Sequence, residues 1–276
     1  MELTTGRLID DGLRLFGLAI MGLVTAFLVI PILITALMAF DARPYLGPLP
    51  PPGFSFRWFH QFFSDDTFIQ GLGTSLELAA GAVSISVCAG IVTALALDRI
   101  NIRFKEGLTS LFLSPLIVPP VVIGFALLLF LSKLGLINGF WRLLCGHVII
   151  TVPYTIRATL AGLSGIDRSL TEAALALGAT EHAAFWDITL PLARTGIVSG
   201  AIFAFAVSMD DVSVSIMLTD SHTYTLPIAL VASMRANFDL SIAAASLMLT
   251  GLTIVLIVAL DRFVGVNRAI GQGMFR

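Results

Sequence analysis

Six apolar stretches, each long enough to cross the hydrocarbon core of a bilayer, leave this chain few folds to choose from. A transmembrane helix needs about 20 consecutive apolar residues, and 13–40, 71–97, 108–131, 141–163, 193–219 and 240–263 all meet that requirement. With 57% hydrophobic and 12% charged residues and a mean hydropathy of +0.95, water is not the main solvent of this protein. His147, Pro153 and Arg157 interrupt the fourth stretch, and Asp210 with Asp211 the fifth, yet the residues between them are apolar enough to keep both as spans. The expected fold class is an all-α integral membrane protein, a single domain over 1–276 with six transmembrane helices. The first apolar run is far longer than the core of a secretory leader and fits an uncleaved first span.

Basic residues favour the cytoplasmic side of short loops. An N-inside arrangement puts Arg7, Arg14, Arg99, Arg103, Lys105, Arg157, Arg168, Arg194, Arg262, Arg268 and Arg276 inside, and leaves Arg43, Arg57, Lys133, Arg142 and Arg235 outside. Both termini are then cytoplasmic, and so is the polar interruption from Ser164 to Pro191. Within it, Leu170, Ala173, Ala174 and Leu177 recur at i, i+3, i+4 and i+7, giving one apolar face to a short helix with Glu172 beside it. Gly178, just past the last periodic residue, suits a left-handed C-cap. Thr180 suits the N-cap of a second short helix that carries Phe185, Trp186 and Ile188, and Pro191 closes the unit.

The order Glu172-Ala173-Ala174, three residues, Gly178, nine residues, Ile188-Thr189-Leu190-Pro191 resembles the EAA loop of the membrane subunits of bacterial ABC importers, with no position broken. The stretch GFSFRWFHQFFSDDTFIQGLGTSL from Gly53, the SMDD at Ser208 to Asp211, and YTLPIALVASMR from Tyr224 look like the spermidine/putrescine permease branch, most of all its second permease subunit. The resemblance implies a bacterial inner-membrane location and a cytoplasmic coupling-helix loop between the fourth and fifth spans. It also implies three partners: a dimer of ATPase subunits, a second, homologous permease, and a periplasmic substrate-binding protein. ATP and Mg would sit on the ATPase, with no cofactor on this chain. Glu172, Ala173, Ala174, Leu177, Gly178, Phe185, Trp186, Ile188, Leu190 and Pro191 would form the ATPase-coupling surface. Thr74-Ser75-Leu76-Glu77 stands where relatives often have Asn-Ser-Leu, so that asparagine has no counterpart. A polyamine cargo is implied, with an amino-acid derivative or ferric iron as alternatives.

Several classes of chemistry are missing from the sequence. A P-loop needs a glycine-rich turn ending in Gly-Lys-Ser/Thr, and neither Lys105 nor Lys133 has that context, so ATP hydrolysis belongs to another chain. No nucleophile-and-base signature of an intramembrane hydrolase occurs. The four histidines are scattered, and Cys88 and Cys145 fall in predicted spans as packing residues, so no metal site is expected. Nucleic acid is not an expected partner.

Acids inside a span are costly and mark function by default. Asp210 and Asp211 come about 17 residues into the fifth span, about 25 Å from its inner end. With Ser208, they form either part of the substrate pathway or outer gate, or a structural pair bonded to Ser208, Ser213 or Arg235, or a cap on a neighbouring helix. Neighbours on a helix diverge by about 100°, so the two acids should not behave alike. Glu77 reads as the acid of a Thr74-x-x-Glu77 capping box at the outer start of the second span, or as a substrate contact. Phe54, Phe56, Trp58, Phe59, Phe62 and Phe63 read as an interfacial belt or as a docking face for a binding protein. Pro48 to Gly53 reads as a stiff, extended connector. A carrier driven by ion gradients would also account for buried acids, but it leaves the polar loop without a purpose.

Overall fold

The computed structural model describes the backbone over residues 2–100, 102–236 and 239–264, and side chains between residues 12 and 259 of those ranges and at Arg262. The Arg7 side chain, Arg268 and Arg276, assigned above to the inner side, lie outside the described residues. The described chain is helical, with one isolated bridge between Asp41 and Phe54. It condenses into two compact units, Met1–Ser64 with Ala236–Thr250 and Asp65–Arg235 with Gly251–Arg276.

In the first unit, α1 (Glu2–Ala39) is apolar on every side from Leu15 onward and exposed along most of that stretch, which is how a lipid-facing span differs from a soluble helix. At its end, Ala39 packs with Trp58 of α2 (Arg57–Ser64) and with Leu240 and Ala244. Trp58 Nε1 donates to the Asp41 carbonyl at 2.8 Å, and the Arg43 guanidinium donates through Nε and Nη2 to the buried Asp41 carboxylate. That guanidinium holds the Asp41 carboxyl below its usual range, against the opposing effect of burial. The chain then folds back, with Ala42 N donating to Gly53 O at 3.2 Å and Ser55 N to Phe40 O at 2.7 Å. The Pro48–Gly53 run is therefore one side of a closed loop and not an extended connector. The aromatic cluster divides: Trp58 and Phe62 are buried, while Phe54, Phe56 and Phe63 remain exposed.

The second unit is built on α3 (Asp66–Arg99), α6 (Gly139–Ser164) and α9 (Leu190–Asp210), three helices packed on one another. Leu78, Ala82, Leu143, Leu144, Ile150, Val214 and Leu218 form its main core, and Ala94, Leu163 and Ala193 a second one near the polar loop. Helices in lipid gain nothing from hiding apolar area, so close backbone approach and interhelical hydrogen bonds take over. Both are present. A Cβ at Gly196 would sit 2.4 Å from the Ala158 carbonyl oxygen and 2.8 Å from Gly162 Cα, so α6 and α9 touch backbone to backbone. Between α3 and α6, buried Ser86 and Thr151 share a 2.6 Å hydroxyl bond, and Thr155 Oγ1 donates to Ser86 O at 2.7 Å. Bonds of this kind contribute about 0.6–2 kcal/mol each.

Three sequence expectations are corrected by this unit. The span expected over 108–131 is two helices, α4 (Lys105–Leu113, prolonged by a 3-10 turn Ser114–Leu116) and α5 (Pro120–Lys133), bent by 95°. A residue before a proline is biased out of the helical region: Pro119 sits at ψ 128, and Pro120 restarts the chain at the first position of α5. Five described helices can cross a membrane singly, and the sixth span exists only as this bent pair. Next, α3 starts at Asp66 with Asp65 as its cap, accepting from Thr67 N at 2.8 Å. Thr74 and Glu77 therefore lie inside the helix, Glu77 exposed, and the capping box does not form.

The third correction concerns the fifth span, expected over 193–219. Its helix stops at Asp210, followed by an irregular Asp211–Val214 segment, α10 (Ser215–Leu218), a polar loop and α11 (Leu226–Ala236). In the loop, Asp220 Oδ1 accepts from His222 N at 2.9 Å and Thr223 N at 2.8 Å, and Arg142 approaches the same carboxylate at 3.8 Å. Burial pushes this acid up, but the His222, Thr223 and Gly139 amides with Arg142 outweigh it and hold Asp220 below its usual range.

Two outcomes follow from this packing. Gly196→Leu pushes a side chain against backbone atoms that cannot yield, at a cost of about 1–3 kcal/mol or more, so its melting temperature in detergent falls clearly. Gly73→Ala, inside α3 with nothing within 4 Å of the new carbon, does not lower it and raises it slightly through helix propensity. Because the folded pKa of Asp220 is lowered, its stabilisation is intact above the usual value of 3.8 and is lost as pH falls through the lowered one. The melting-temperature gap between wild type and Asp220→Asn is therefore widest near neutral pH and closes on acidification.

Candidate functional site

The polar loop is a built structure. α7 (Arg168–Ala176) starts on Asp167, whose carboxylate accepts from Ser169 N at 2.9 Å and is held below its usual range by that amide. It ends on Gly178 at φ +91, where Ala179 N donates to Ala174 O and Gly178 N to Leu175 O, both at 3.0 Å. These are the two bonds of a Schellman closure, which a glycine at that φ permits without strain. Thr180 then caps α8 (Glu181–Ala184), its hydroxyl accepting from Ala183 N at 3.2 Å.

Pro191 does not close this unit. Residues Phe185–Thr189 form a π-turn, with Leu190 N donating to Phe185 O, and the helix runs unbroken from Glu181 to Asp210. The widened turn makes room for the proline ring and its missing N–H, so a residue that would break a regular helix is carried through.

The expected coupling residues fall into two groups. Glu172, Ala173, Leu177, Trp186 and Pro191 are exposed, Leu177 at 89% and Trp186 at 52%; Ala174, Phe185, Ile188 and Leu190 are half-buried. Of the expected apolar face of α7, Leu177 stands almost wholly exposed and Leu170 about half exposed. Trp186 is oriented by its own helix, with Nε1 donating to His182 Nε2 at 3.0 Å. Beside the loop lies a groove of about 410 Å³ lined by charges of both signs, among them Asp98, Arg99, Arg168, Glu172 and Glu181. Arg168 Nη2 ties α7 to the C-terminal end of α3, donating to Asp98 O at 3.2 Å and lying 3.6 Å from its carboxylate. Nothing local in the sequence pointed to Asp98, which is 70 residues from its partner.

The far end of α9 carries the two adjacent acids, and the helix stops between them. Asp210 is exposed and has no hydrogen-bond partner among the described residues, while Asp211 turns back, Oδ2 accepting from Val214 N at 3.1 Å, Ser215 N at 2.8 Å and Ser215 Oγ at 2.9 Å. Asp211 is thus a cap on α10, one of its two structural alternatives. Both acids border an open cavity of about 430 Å³ with Ala206, Val207, Val212 and Ser213. Ser208 does not border it: it is buried, and its hydroxyl lies 2.8 Å from His147 Nδ1. Glu77 does not line that cavity either. The sequence reading missed Ser215, whose hydroxyl meets the Asp211 carboxylate four residues back.

This architecture has known counterparts. Residues 86–268 match the family described as binding-protein-dependent transport system inner membrane component. The chain is 32% identical over 240 residues to the spermidine/putrescine transport system permease protein PotC of Haemophilus influenzae, covering 87% of this chain and 93% of the relative. It is 30% identical over 232 residues to the putrescine transport system permease protein PotI of Escherichia coli K12, covering 82% of each. Among solved structures it is similar to a bacterial ABC transporter that imports the acidic polysaccharide alginate, with a TM-score of 0.71 over 94% of this chain and 98% of that one. At 18% identity that likeness speaks for the fold alone. A run of membrane-crossing helices interrupted by one capped, outward-facing polar loop is accordingly the fold of a permease, and this chain belongs to the family of inner membrane components of binding-protein-dependent transport systems.

Proposed function

We propose that this permease carries a multiply charged amine of the spermidine/putrescine kind, moved by alternating access that a separate ATPase dimer drives through the Ser164–Pro191 loop. The observation that carries the proposal is the continuous Glu181–Asp210 helix, with an exposed Trp186 near one end and an unpaired carboxylate at the other. At 1.5 Å per residue, Trp186 and Asp210 are about 36 Å apart along one rod. A push on the loop therefore reaches the acid pair without a flexible joint, as a rigid-body switch requires. The relatives named for spermidine and putrescine supply the cargo class, and a free carboxylate suits a polycation.

In this reading the chain lies in the bacterial inner membrane with both termini cytoplasmic. It pairs with a second, homologous permease, receives cargo from a periplasmic binding protein, and binds no nucleotide, ATP and Mg residing on the ATPase. Leu170, Leu177 and Trp186 supply apolar docking area, and Glu172 meets a basic group on the ATPase. The half-buried Ala174, Phe185, Ile188 and Leu190 hold the loop to the spans. Asp210 faces the cargo, with Asp211 shaping the opening from behind; Ser208 acts from inside the core, and Glu77 stands as a separate exposed acid on α3.

Gly178 tests the coupling. No atom lies within 4 Å of a Cβ there, so Gly178→Val acts through its strained φ alone, at about 1 kcal/mol or more. Uptake is lost and ATPase copurification weakened while membrane insertion is retained, and Gly178→Asn, which tolerates that φ, keeps part of the activity. Unchanged uptake in Gly178→Val removes the coupling claim. The cargo is tested by ATPase activity of the full complex in lipid nanodiscs, with the binding protein empty or loaded with spermidine, putrescine, amino acids or iron chelates. Stimulation by polyamines supports the assignment, and stimulation by another ligand alone retires it. Uptake that persists after ATP depletion would favour a gradient-driven carrier.

A further inference from the structure

His147 is fully buried in α6, and both of its ring nitrogens are occupied: Nδ1 lies 2.8 Å from Ser208 Oγ and Nε2 3.0 Å from Ser215 Oγ. The next link fixes the direction of the chain. An ionised carboxylate can only accept, and Asp211 Oδ2 takes the Ser215 hydroxyl at 2.9 Å in addition to two backbone amides. Ser215 has one proton and gives it to Asp211, so toward His147 it accepts. His147 Nε2 therefore carries a hydrogen, and in a neutral ring Nδ1 is the acceptor and Ser208 donates to it. For the neutral ring one arrangement of protons satisfies every group, running from Ser208 through His147 and Ser215 to Asp211. The His147 carbonyl, in turn, takes the Thr151 hydroxyl at 2.6 Å, and Thr151 is bonded to Ser86 of α3.

The line joins α3, α6, α9 and α10 and ends on the acid that forms the irregular Asp211–Val214 segment. Three donors saturate the inner side of Asp211, so its neighbour Asp210 is the acid of the pair with a free carboxylate at the cavity. We infer that His147, as the neutral Nε2–H tautomer, is a positioning residue: through Ser215 it holds Asp211 inward, and thereby fixes the break on which the direction of Asp210 depends. This deepens the reading of Asp210 as the cargo-facing acid and rests on it.

Three variants in the assembled importer test it. His147→Leu removes donor and acceptor, Ser215→Ala cuts the link to Asp211 at the cost of one hydroxyl, and His147→Gln restores a donor and an acceptor. The first two lower uptake per assembled complex at subsaturating loaded binding protein, roughly tenfold as for other outer-shell partners, and His147→Gln recovers most of it. If His147 only fills space, the variants change the yield of assembled complex, with uptake per complex at the wild-type level, and the inference falls. The second readout needs no cargo. In complex carrying 15N-histidine in this chain, the signals that vanish in His147→Gln show a protonated Nε2 and a bare Nδ1. An Nδ1–H tautomer or an imidazolium there overturns the inference. Should wild type move no polyamine, the cargo assignment fails while the tautomer still decides the relay, and the uptake arms are run with whichever solute stimulates the ATPase.

Discussion

A polar backbone group left bare in hydrocarbon costs several kcal/mol, and that single cost organises the second unit. Regular helix is the default answer, and each departure from it needs a local substitute. At Asp211–Val214 the substitute is a carboxylate that takes two amides and a hydroxyl. At Phe185–Thr189 it is a π-turn, which keeps the ladder closed around Pro191. Between α4 and α5, where prolines remove two donors outright, the chain bends by 95°.

The same cost explains why polar residues in the spans run in connected lines. Ser86, Thr151, His147, Ser208, Ser215 and Asp211 each spend their hydrogen-bonding capacity on one another or on the backbone. Their geometry is therefore determined together, and one missing member leaves its neighbours unsatisfied. The α6–α9 contact complements this. Gly162 and Gly196 bring two backbones into contact, so the rod that ends at Asp210 cannot slide far against α6 without separating from it. Trp186 at its other end has no such partner, and with Leu170 and Leu177 it leaves the loop with an apolar surface this chain does not cover.

Much of this was legible in advance. Apolar length alone placed five single helices and the residues of the bent pair, and Gly178 and Thr180 announced their caps because those roles depend on local backbone geometry. Reading the prolines was less successful. Pro119-Pro120 breaks a span that hydropathy joins, whereas Pro191, expected to close the polar loop, is absorbed into the helix that follows, and only the turn geometry before each distinguishes them. The capping box expected at Thr74 and Glu77 fails because the motif lies in the interior of a helix already capped at Asp65.

What the sequence determined by itself was therefore everything set by residues within a turn or two of one another: membrane residence, the polar loop, its two caps and the divergence of the acid pair. What the tertiary structure decided depends on groups far apart in the chain. Asp98 meets Arg168 across 70 residues, and His147 meets Ser208 and Ser215 across 61 and 68. Hydropathy and periodicity report on neighbours along the chain and hold nothing about such distances. Asp211 finds its own partners three and four residues on, but only the packing of α6 against α9 and α10 could set His147 between Ser208 and Ser215.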